Sequence, residues 1–154
     1  MRRSEKQIRD QALIEKILLT APYCQIAMVD RRKAYLVAMN YAYYDGSIYL
    51  HGAKEGRKAG IWSNGADVTL QIVTQVELNL KPGDPFPECA YYSLFAEGRI
   101  KRLRNDKQRR EGLDILIDKY GGSKDYSTDW HRVEVWRIDI IGEIIGKQSG
   151  HNEG

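Results

Sequence analysis

The spacing of apolar positions predicts a helix near the start of the chain. Residues 4–20 carry an apolar stripe that recurs every three or four positions, as on one face of a helix. Ser4 is suited to cap its beginning, and Pro22 ends it. A similar stripe over 106–120, followed by Gly121, predicts a second long helix with a glycine at its C-terminal end.

Most of the chain between these helices has the composition and alternation of β-strands. Asp45-Gly46 is the strongest hairpin signal, because this pair readily adopts the positive φ angles of a two-residue turn. Gly98 interrupts a long strand over 91–104 and predicts a bulge or a bend there. The other predicted strands cover residues 24–29, 34–44, 47–51, 67–76 and 132–146.

These elements predict a single domain over residues 1–154 that is mainly β, of the α+β class. Neighbouring hairpins make the sheet antiparallel, and closure into a barrel would remove its exposed edges. Residues 132–146 are either a last strand pair or one bent strand. A short helix over 55–64 and a proline-rich loop over 79–90 connect strands, and the polar residues 147–154 are expected to form a flexible tail.

Composition excludes several classes of function. The 154 residues are 42% hydrophobic and 29% charged, which is typical of a globular rather than a disordered chain. The net charge of +3 is too small to indicate a nucleic-acid partner, and acidic residues dilute the basic run 101–110. No apolar run reaches the ~20 residues of a membrane helix, and no secretory signal is recognisable. With only Cys24 and Cys89 and no CxxC, we expect no metal site, no disulfide framework and a cytoplasmic location.

The densest candidate site is the segment 51–58, His-Gly-Ala-Lys-Glu-Gly-Arg-Lys, which follows a predicted strand and opens the short helix. Gly52 and Gly56 allow close approach to the backbone. Arg57 and Lys58 place two cations where the first N–H groups of a helix are unpaired, and together these features predict a phosphate site. The alternative is a solvated loop with ordinary surface charges, since neither GxxxxGK[ST] nor GxGxxG is present.

Five segments carry a resemblance to a known family, in the same order and along nearly the whole chain: IEKILLTAPYCQIAMVD, YLVAMNYAYYDGSIYLHGAKEGRK, YYSLFAEGRIKRL, KYGG and EVWRIDIIGEIIGKQSG. The chain resembles the FMN-binding split-barrel proteins of the pyridoxamine 5′-phosphate oxidase-like superfamily, and more closely their nitroimidazole-resistance branch. The resemblance implies a six-stranded antiparallel split β-barrel with flanking helices. It also implies FMN as the cofactor, a homodimer with the cofactor site at the subunit interface, and reduction of small nitro or other aromatic compounds, with NAD(P)H as a transient electron donor.

The same resemblance implies roles for individual residues. Arg57 and Lys58 match the pair that binds the FMN phosphate, and Gly52 and Ala53 match the loop beside it. His51 matches a histidine close to the flavin or the substrate. We expect it to supply a proton to the reduced substrate, and the alternative is a hydrogen-bonded histidine at a strand end. The strand that runs beside the flavin ring is matched by Ala38, Met39, Asn40 and Tyr41.

One departure from the family, and the variety of cofactors among its relatives, leave alternatives open. The chain ends in IDIIGEIIGKQSG, without the arginine-rich ending of the pyridoxal-phosphate-forming enzymes, which argues against oxidation of vitamin B6. Some related split barrels bind haem or deazaflavin, so the second hypothesis is a haem-binding protein with His51 as an axial ligand. The third is a cofactor-free dimer that acts as a binding module.

Overall fold

The computed structural model describes residues 3–79, 82–83, 85, 88–125 and 130–150. One antiparallel sheet of eight strands dominates the fold. The strands are β1 (Gln7–Ile8), β2 (Cys24–Asp30), β3 (Lys33–Met39), β4 (Ala42–Tyr44), β5 (Ser47–Ala53), β6 (Ala66–Asn79), β7 (Glu88–Arg102) and β8 (Val133–Ser149). They run in the order β3-β2-β6-β7-β8-β5-β4, and β1 pairs with β8 beside this path. The predicted α+β split-barrel class is confirmed.

The strand count differs from the predicted six, for two reasons. The predicted strand over 34–44 divides at Asn40 and Tyr41 into β3 and β4, and β1 was not predicted at all. The Asp45-Gly46 turn is confirmed, with φ of 47° and 75° at the two positions. These angles suit the right-handed twist of the two flanking strands.

The start of the predicted helix over 4–20 is wrong. Ser4–Lys6 is a 3-10 turn, and the next two residues form β1. Helix α1 covers Gln11–Thr20, and its cap is Asp10, whose Oδ1 accepts a hydrogen bond of 2.9 Å from the Ala12 amide. Pairing with β8 explains the difference, because it buries Ile8 against the backbone and outweighs local helical spacing.

The other two helices lie where they were predicted. Helix α3 covers Asp106–Tyr120, and the Asn105 side chain accepts hydrogen bonds from the Lys107 and Gln108 amides at its start. Gly121 ends it with a φ of 73°, as expected of a residue in the left-handed region. Helix α2 is shorter than predicted and covers Arg57–Trp62. None of the described helices is long and apolar enough to cross a membrane.

The last strand is one continuous bent strand, which settles one of the alternatives left open. Its residues 147–149 pair with β7 and do not form a flexible tail, and 151–154 lie outside the described residues. Gly98 allows β7 and β8 to approach closely, since a Cβ there would lie 2.7 Å from the Asp139 carbonyl oxygen. Much of the predicted loop over 79–90 also lies outside the described residues.

Two apolar clusters lie on opposite faces of the wall formed by β5 and β8. The larger fills the barrel and includes Leu50, Trp62 and Trp136. The smaller lies between this wall and α3, and it consists of Leu103, Leu113, Trp130 and Val135. Because successive side chains of a strand point to opposite faces, His51 and Gly52 face different clusters.

Candidate functional site

The predicted phosphate segment forms the end of β5, a short loop and the first turn of α2. Gly56 precedes α2 with a φ of 111°, a conformation that favours glycine, and no side chain caps the helix there. Because α2 has only six residues, its dipole contributes little. The positive charge of the segment therefore comes from the side chains of Arg57 and Lys58, the first two residues of α2.

Lys58 bends back over the end of β5 toward the barrel. Its Nζ lies 3.2 Å from the Sδ of Met39 and 5.9 Å from the ring centroid of Trp62. A Cβ at position 52 would lie 3.4 Å from this Nζ, so Gly52 is the residue that lets the ammonium approach the strand. No carboxylate among the described residues pairs with Lys58, and partial burial lowers its pKa. An anion bound beside this ammonium would give it a partner of opposite charge.

Arg57 is held in a different way, with its charge directed outward. Its Nε donates a hydrogen bond of 2.7 Å to Oδ2 of Asp30, and its guanidinium lies 4.0 Å from the ring centroid of Tyr35. Half of the arginine side chain remains exposed. The pair with Asp30 occupies Nε and leaves the two Nη groups for a further acceptor, because a guanidinium has five N–H donors.

His51 lies at the start of this segment, opposite Val135 of β8. Its pKa is lowered, first because surrounding atoms desolvate the ring and second because the Lys58 ammonium is near. The imidazole is therefore neutral over a wider pH range than a free histidine, with one N–H donor and one acceptor nitrogen.

His51 also lines a cavity of about 420 Å³ between α3 and the wall of β5 and β8. We refer to it as the α3 cavity. Its lining residues are mostly apolar: Asn40, His51, Leu113, Leu116, Ile117, Tyr120, Gly121, Gly122, Trp130 and Val133. Asn40 and His51 are thus brought together at one cavity, although 11 positions separate them in the sequence.

The strand matched to the flavin ring presents different groups to different surroundings. β3 lies at the end of the sheet path, so one of its edges has no strand partner among the described residues. Ala38 and Asn40 face outward, whereas the Met39 side chain is buried beside Lys58. Backbone groups along the open edge of β3 are therefore available to a ligand.

Tyr41, in contrast, is occupied within the protein. Its side chain is fully buried, and its hydroxyl donates a hydrogen bond of 2.7 Å to the carbonyl of Leu18. The hydroxyl of Tyr120 lies 3.0 Å from both the amide nitrogen and the carbonyl oxygen of Tyr41. Tyr41 thus stabilises the junction between β3 and β4, just after Asn40.

Sequence reasoning missed several residues that shape the site. Asp30 and Tyr35 hold Arg57, and Tyr120 and Trp130 line the α3 cavity. No short motif signals these contacts, because they join elements far apart in the chain. No group of three or more metal-ligating side chains is found among the described residues.

The basic run over 101–110 is engaged largely in internal contacts. Arg102 forms a bidentate pair with the buried Glu134 at 2.7 and 2.6 Å, and Lys101 pairs with Asp139 at 2.7 Å. The guanidinium of Arg109 lies 4.7 Å from the ring centroid of Trp130. Through these contacts, the charged side chains of β7 and α3 bind to β8 and to the turn before it.

Comparison with protein families gives one match that spans most of the chain. Residues 10–147 match the family described as pyridoxamine 5′-phosphate oxidase. Comparison with curated protein sequences finds no match.

Solved structures share the fold at low sequence identity. A proposed 5-nitroimidazole antibiotic resistance protein from Bacteroides thetaiotaomicron is 24% identical, with a TM-score of 0.80 over 93% of this chain and 86% of that one. The FAD and heme binding protein from Mycobacterium smegmatis is 15% identical, with a TM-score of 0.81 over 95% and 74% of the two chains. The flavocytochrome Anf3 from Azotobacter vinelandii is 18% identical, with a TM-score of 0.78 over 99% and 75%.

Proposed function

This chain belongs to the pyridoxamine 5′-phosphate oxidase family, and from that premise we propose that it is an FMN-dependent oxidoreductase. Its proposed substrates are small nitro or other aromatic compounds, and its proposed electron donor is NAD(P)H. The similarity in fold to a proposed 5-nitroimidazole resistance protein and to flavin-binding proteins supports this choice.

The observation that carries the proposal is the ammonium of Lys58. It is partly buried at the end of β5, it lacks a carboxylate partner among the described residues, and Gly52 leaves room beside it. Arg57, at the adjacent position, has Nη groups with no acceptor among the described residues. A phosphate monoester such as that of FMN provides the charge and the several acceptor oxygens that this pair fits.

The chain's own residues would then bind the flavin, orient the substrate and supply it with a proton. Bound FMN supplies the hydride chemistry, as flavins do. Lys58 and Arg57 would neutralise the phosphate, and the open edge of β3 at Ala38 and Met39 would offer backbone groups to the ring. Because its pKa is lowered, His51 is mainly a neutral hydrogen-bonding group at neutral pH, so it would orient a substrate oxygen and relay a proton from water.

A homodimer with the site at its interface is part of the proposal. The outward face of the sheet carries exposed apolar side chains, including Val29 of β2, Leu36 of β3 and Ile141 of β8. A second cavity of about 480 Å³ lies on the same face. Ala38 shares the outward face of β3 with Leu36, so a partner covering this face would also approach the strand proposed to contact FMN.

Haem is the second candidate, favoured by one observation. His51 is held mainly neutral, which is the form that binds iron, and it lies at the largely apolar α3 cavity. Against haem, no lysine or arginine is among the described residues that line this cavity, and the propionates of a haem would need such partners. We therefore place haem second.

The visible spectrum of the purified protein, before and after addition of FMN and gel filtration, tests the choice. We expect flavin bands to remain with the protein, and replacement of Arg57 and Lys58 together by alanine to abolish this retention. The matched control replaces Lys16 and Lys107, two exposed lysines outside the phosphate segment, and should retain FMN. Equal flavin occupancy in both double variants refutes the assigned phosphate site, and a sharp Soret band without retained flavin selects haem.

A further inference from the structure

A separate basic cavity of about 390 Å³ lies where α2 ends, at the opposite end of this helix from the phosphate segment. Its lining consists of the turn 63–65 and the side chains of Arg99, Lys101, Arg102 and Arg104. We refer to it as the basic pocket. Neither Arg57 nor Lys58 lines it. We propose that the basic pocket binds a phosphate monoester as its dianion, at a site separate from the one assigned to the flavin phosphate.

Two cations of the basic pocket are balanced by one carboxylate each. Arg99 pairs with Asp67 at 3.0 Å, and Arg102 pairs with the buried Glu134 at 2.6 Å. The first pair is weak, because 46% of the Arg99 side chain and 86% of the Asp67 side chain are exposed to water. Gly65 leaves room for the Arg99 guanidinium, since a Cβ there would lie 3.2 Å from its Nη2. Arg99 can therefore exchange Asp67 for a bound anion at little cost.

The remaining cations outnumber the carboxylates that they contact. Lys101 and Arg137 both lie 2.7 Å from Asp139, so that one carboxylate serves two cations. Arg104 has no carboxylate partner among the described residues, and its Nη2 donates only a long hydrogen bond of 3.4 Å to the carbonyl of Ser63. Across the whole network five cations share three carboxylates, which leaves an excess of two positive charges.

This excess fits a phosphate monoester, which carries about −1.5 to −2 charges at neutral pH. Its oxygens accept the forked N–H donors of arginine. A nucleic acid would bring many more charges, and none of the described residues that line the basic pocket is an aromatic on which a base could stack. The lining therefore favours one small phosphate group over a polyanion.

Calorimetric titration with adenosine 2′-monophosphate and with adenosine tests this assignment, because the two differ only in the phosphate. We expect the monophosphate to bind at least tenfold more tightly. Equal affinities would overturn the proposal, and so would a short RNA that binds where the monophosphate does not.

Removal of two pocket cations tests the location. Lys101→Gln combined with Arg104→Gln should weaken binding of the monophosphate at least tenfold. The carboxylate partner of Lys101 keeps its pair with Arg137, so we expect this variant to fold, which circular dichroism would check. The matched control, Lys16→Gln combined with Lys107→Gln, removes the same charge from exposed positions outside the pocket and should change the affinity less than twofold. Unchanged affinity in the folded pocket variant would overturn the location.

Asp67→Asn tests the same pocket in the opposite direction, should the pocket variant misfold. It removes an exposed carboxylate and frees Arg99 for the ligand, so binding of the monophosphate should tighten several-fold. Unchanged or weaker binding in this variant would contradict the proposal.

Two sources can supply such a phosphate: a free phosphorylated metabolite, or the 2′-phosphate of NADPH, and only the second rests on the proposed function. A preference for NADPH over NADH that disappears in the pocket variant assigns the group to the electron donor. Equal affinities for NADPH and NADH, with the monophosphate still bound, assign it to a free metabolite.

The two phosphate sites are distinguished by parallel measurements. Binding of the monophosphate should persist when Arg57 and Lys58 are replaced by alanine, and its loss there would place this ligand at the flavin phosphate site and overturn the proposal. Monophosphate binding without FMN retention by the wild type would refute only the proposed cofactor. FMN retention without monophosphate binding would refute only the basic pocket.

Discussion

The hydroxyl of Tyr120 lies 3.0 Å from both backbone polar groups of Tyr41, 79 positions earlier in the sequence. It also lies 2.6 Å from the carbonyl oxygen of Pro22. Through this one group, the C-terminal end of α3 is joined to the β3–β4 junction and to the segment after α1. The position of Asn40, which precedes Tyr41 and lines the α3 cavity, depends on this contact.

Tyr120→Phe should therefore loosen the β3–β4 junction. Loss of the hydroxyl leaves the Tyr41 amide without its partner, and we expect a cost of about 1–2 kcal/mol in the free energy of unfolding. Urea denaturation measures this change. Tyr44→Phe is the control, because Tyr44 is 59% exposed, and it should change stability by less than about 0.5 kcal/mol. Equal effects of the two variants would show that the Tyr120 contact contributes no stability.

Gly52→Ala tests the space beside Lys58. The new methyl group would lie 3.3 Å from Cζ3 of Trp136 and 3.4 Å from Nζ of Lys58. We expect the ammonium to be displaced and FMN retention on gel filtration to fall at least tenfold. Gly60→Ala, within α2, meets no atom within 4 Å and should retain FMN while stabilising the helix by about 0.5–1 kcal/mol. Full retention by a folded Gly52→Ala variant would contradict the role given to this glycine.

Lys119 should make stability depend on pH above neutrality. Its ammonium lies 2.6 Å from the Ala21 carbonyl oxygen and 3.6 Å from the ring centroid of Tyr41, yet burial lowers its pKa from 10.5 to about 8. The folded protein then binds fewer protons than the unfolded chain between about pH 8 and 10.5. Over this interval the contribution of Lys119 to the free energy of unfolding rises with pH.

Urea denaturation of the wild type and of Lys119→Met from pH 7 to 10 measures this dependence. The wild type should gain stability relative to the variant as the pH rises above 8. Cys24, whose pKa burial raises to about 12, and the two tyrosines nearby, Tyr41 and Tyr120, whose pKa values are also raised, stay protonated in this range. Lys16→Met, at an exposed position of α1, should show no such trend, and a flat difference for Lys119→Met would refute the assignment.

The outward face of the sheet should hold two copies together. Leu36 and Ile141 are 58% and 59% exposed in one chain, and each is an apolar side chain that a partner would cover. We expect Leu36→Glu and Ile141→Glu each to shift the mass measured by light scattering from dimer to monomer and to reduce FMN retention. The control Leu19→Glu changes an exposed leucine of α1 and should leave the dimer intact. A monomeric wild type that retains FMN would contradict the interface.

Local signals in the sequence predicted the elements whose ends are determined by their own residues. The Asp45-Gly46 turn and the Gly121 terminus of α3 require positive φ, and this requirement is visible in residue type. β1 was missed because a pairing with β8, about 140 residues away, outweighs the helical pattern that follows it. Contacts of that range leave no local pattern.

In the candidate site, too, local features could be predicted from the sequence, whereas contacts between distant segments could not. Arg57 and Lys58 stand out as adjacent cations after two glycines, so the phosphate segment could be predicted. The partners that orient them, Asp30 and Met39, lie on two other strands. The α3 cavity could not be predicted either, because its walls come from the β3–β4 junction, β5, α3 and the turn before β8.

A comparison of FMN with riboflavin tests the central claim most directly, because the two share a ring and differ in the phosphate. Fluorescence titration would give the affinity of each flavin for the wild type and for Lys58→Met. We predict that the wild type binds FMN at least a hundredfold more tightly than riboflavin, and that most of this difference disappears in the variant. Equal affinities of the wild type for the two flavins, or an unchanged preference in Lys58→Met, would contradict the assignment of Lys58 to a flavin phosphate.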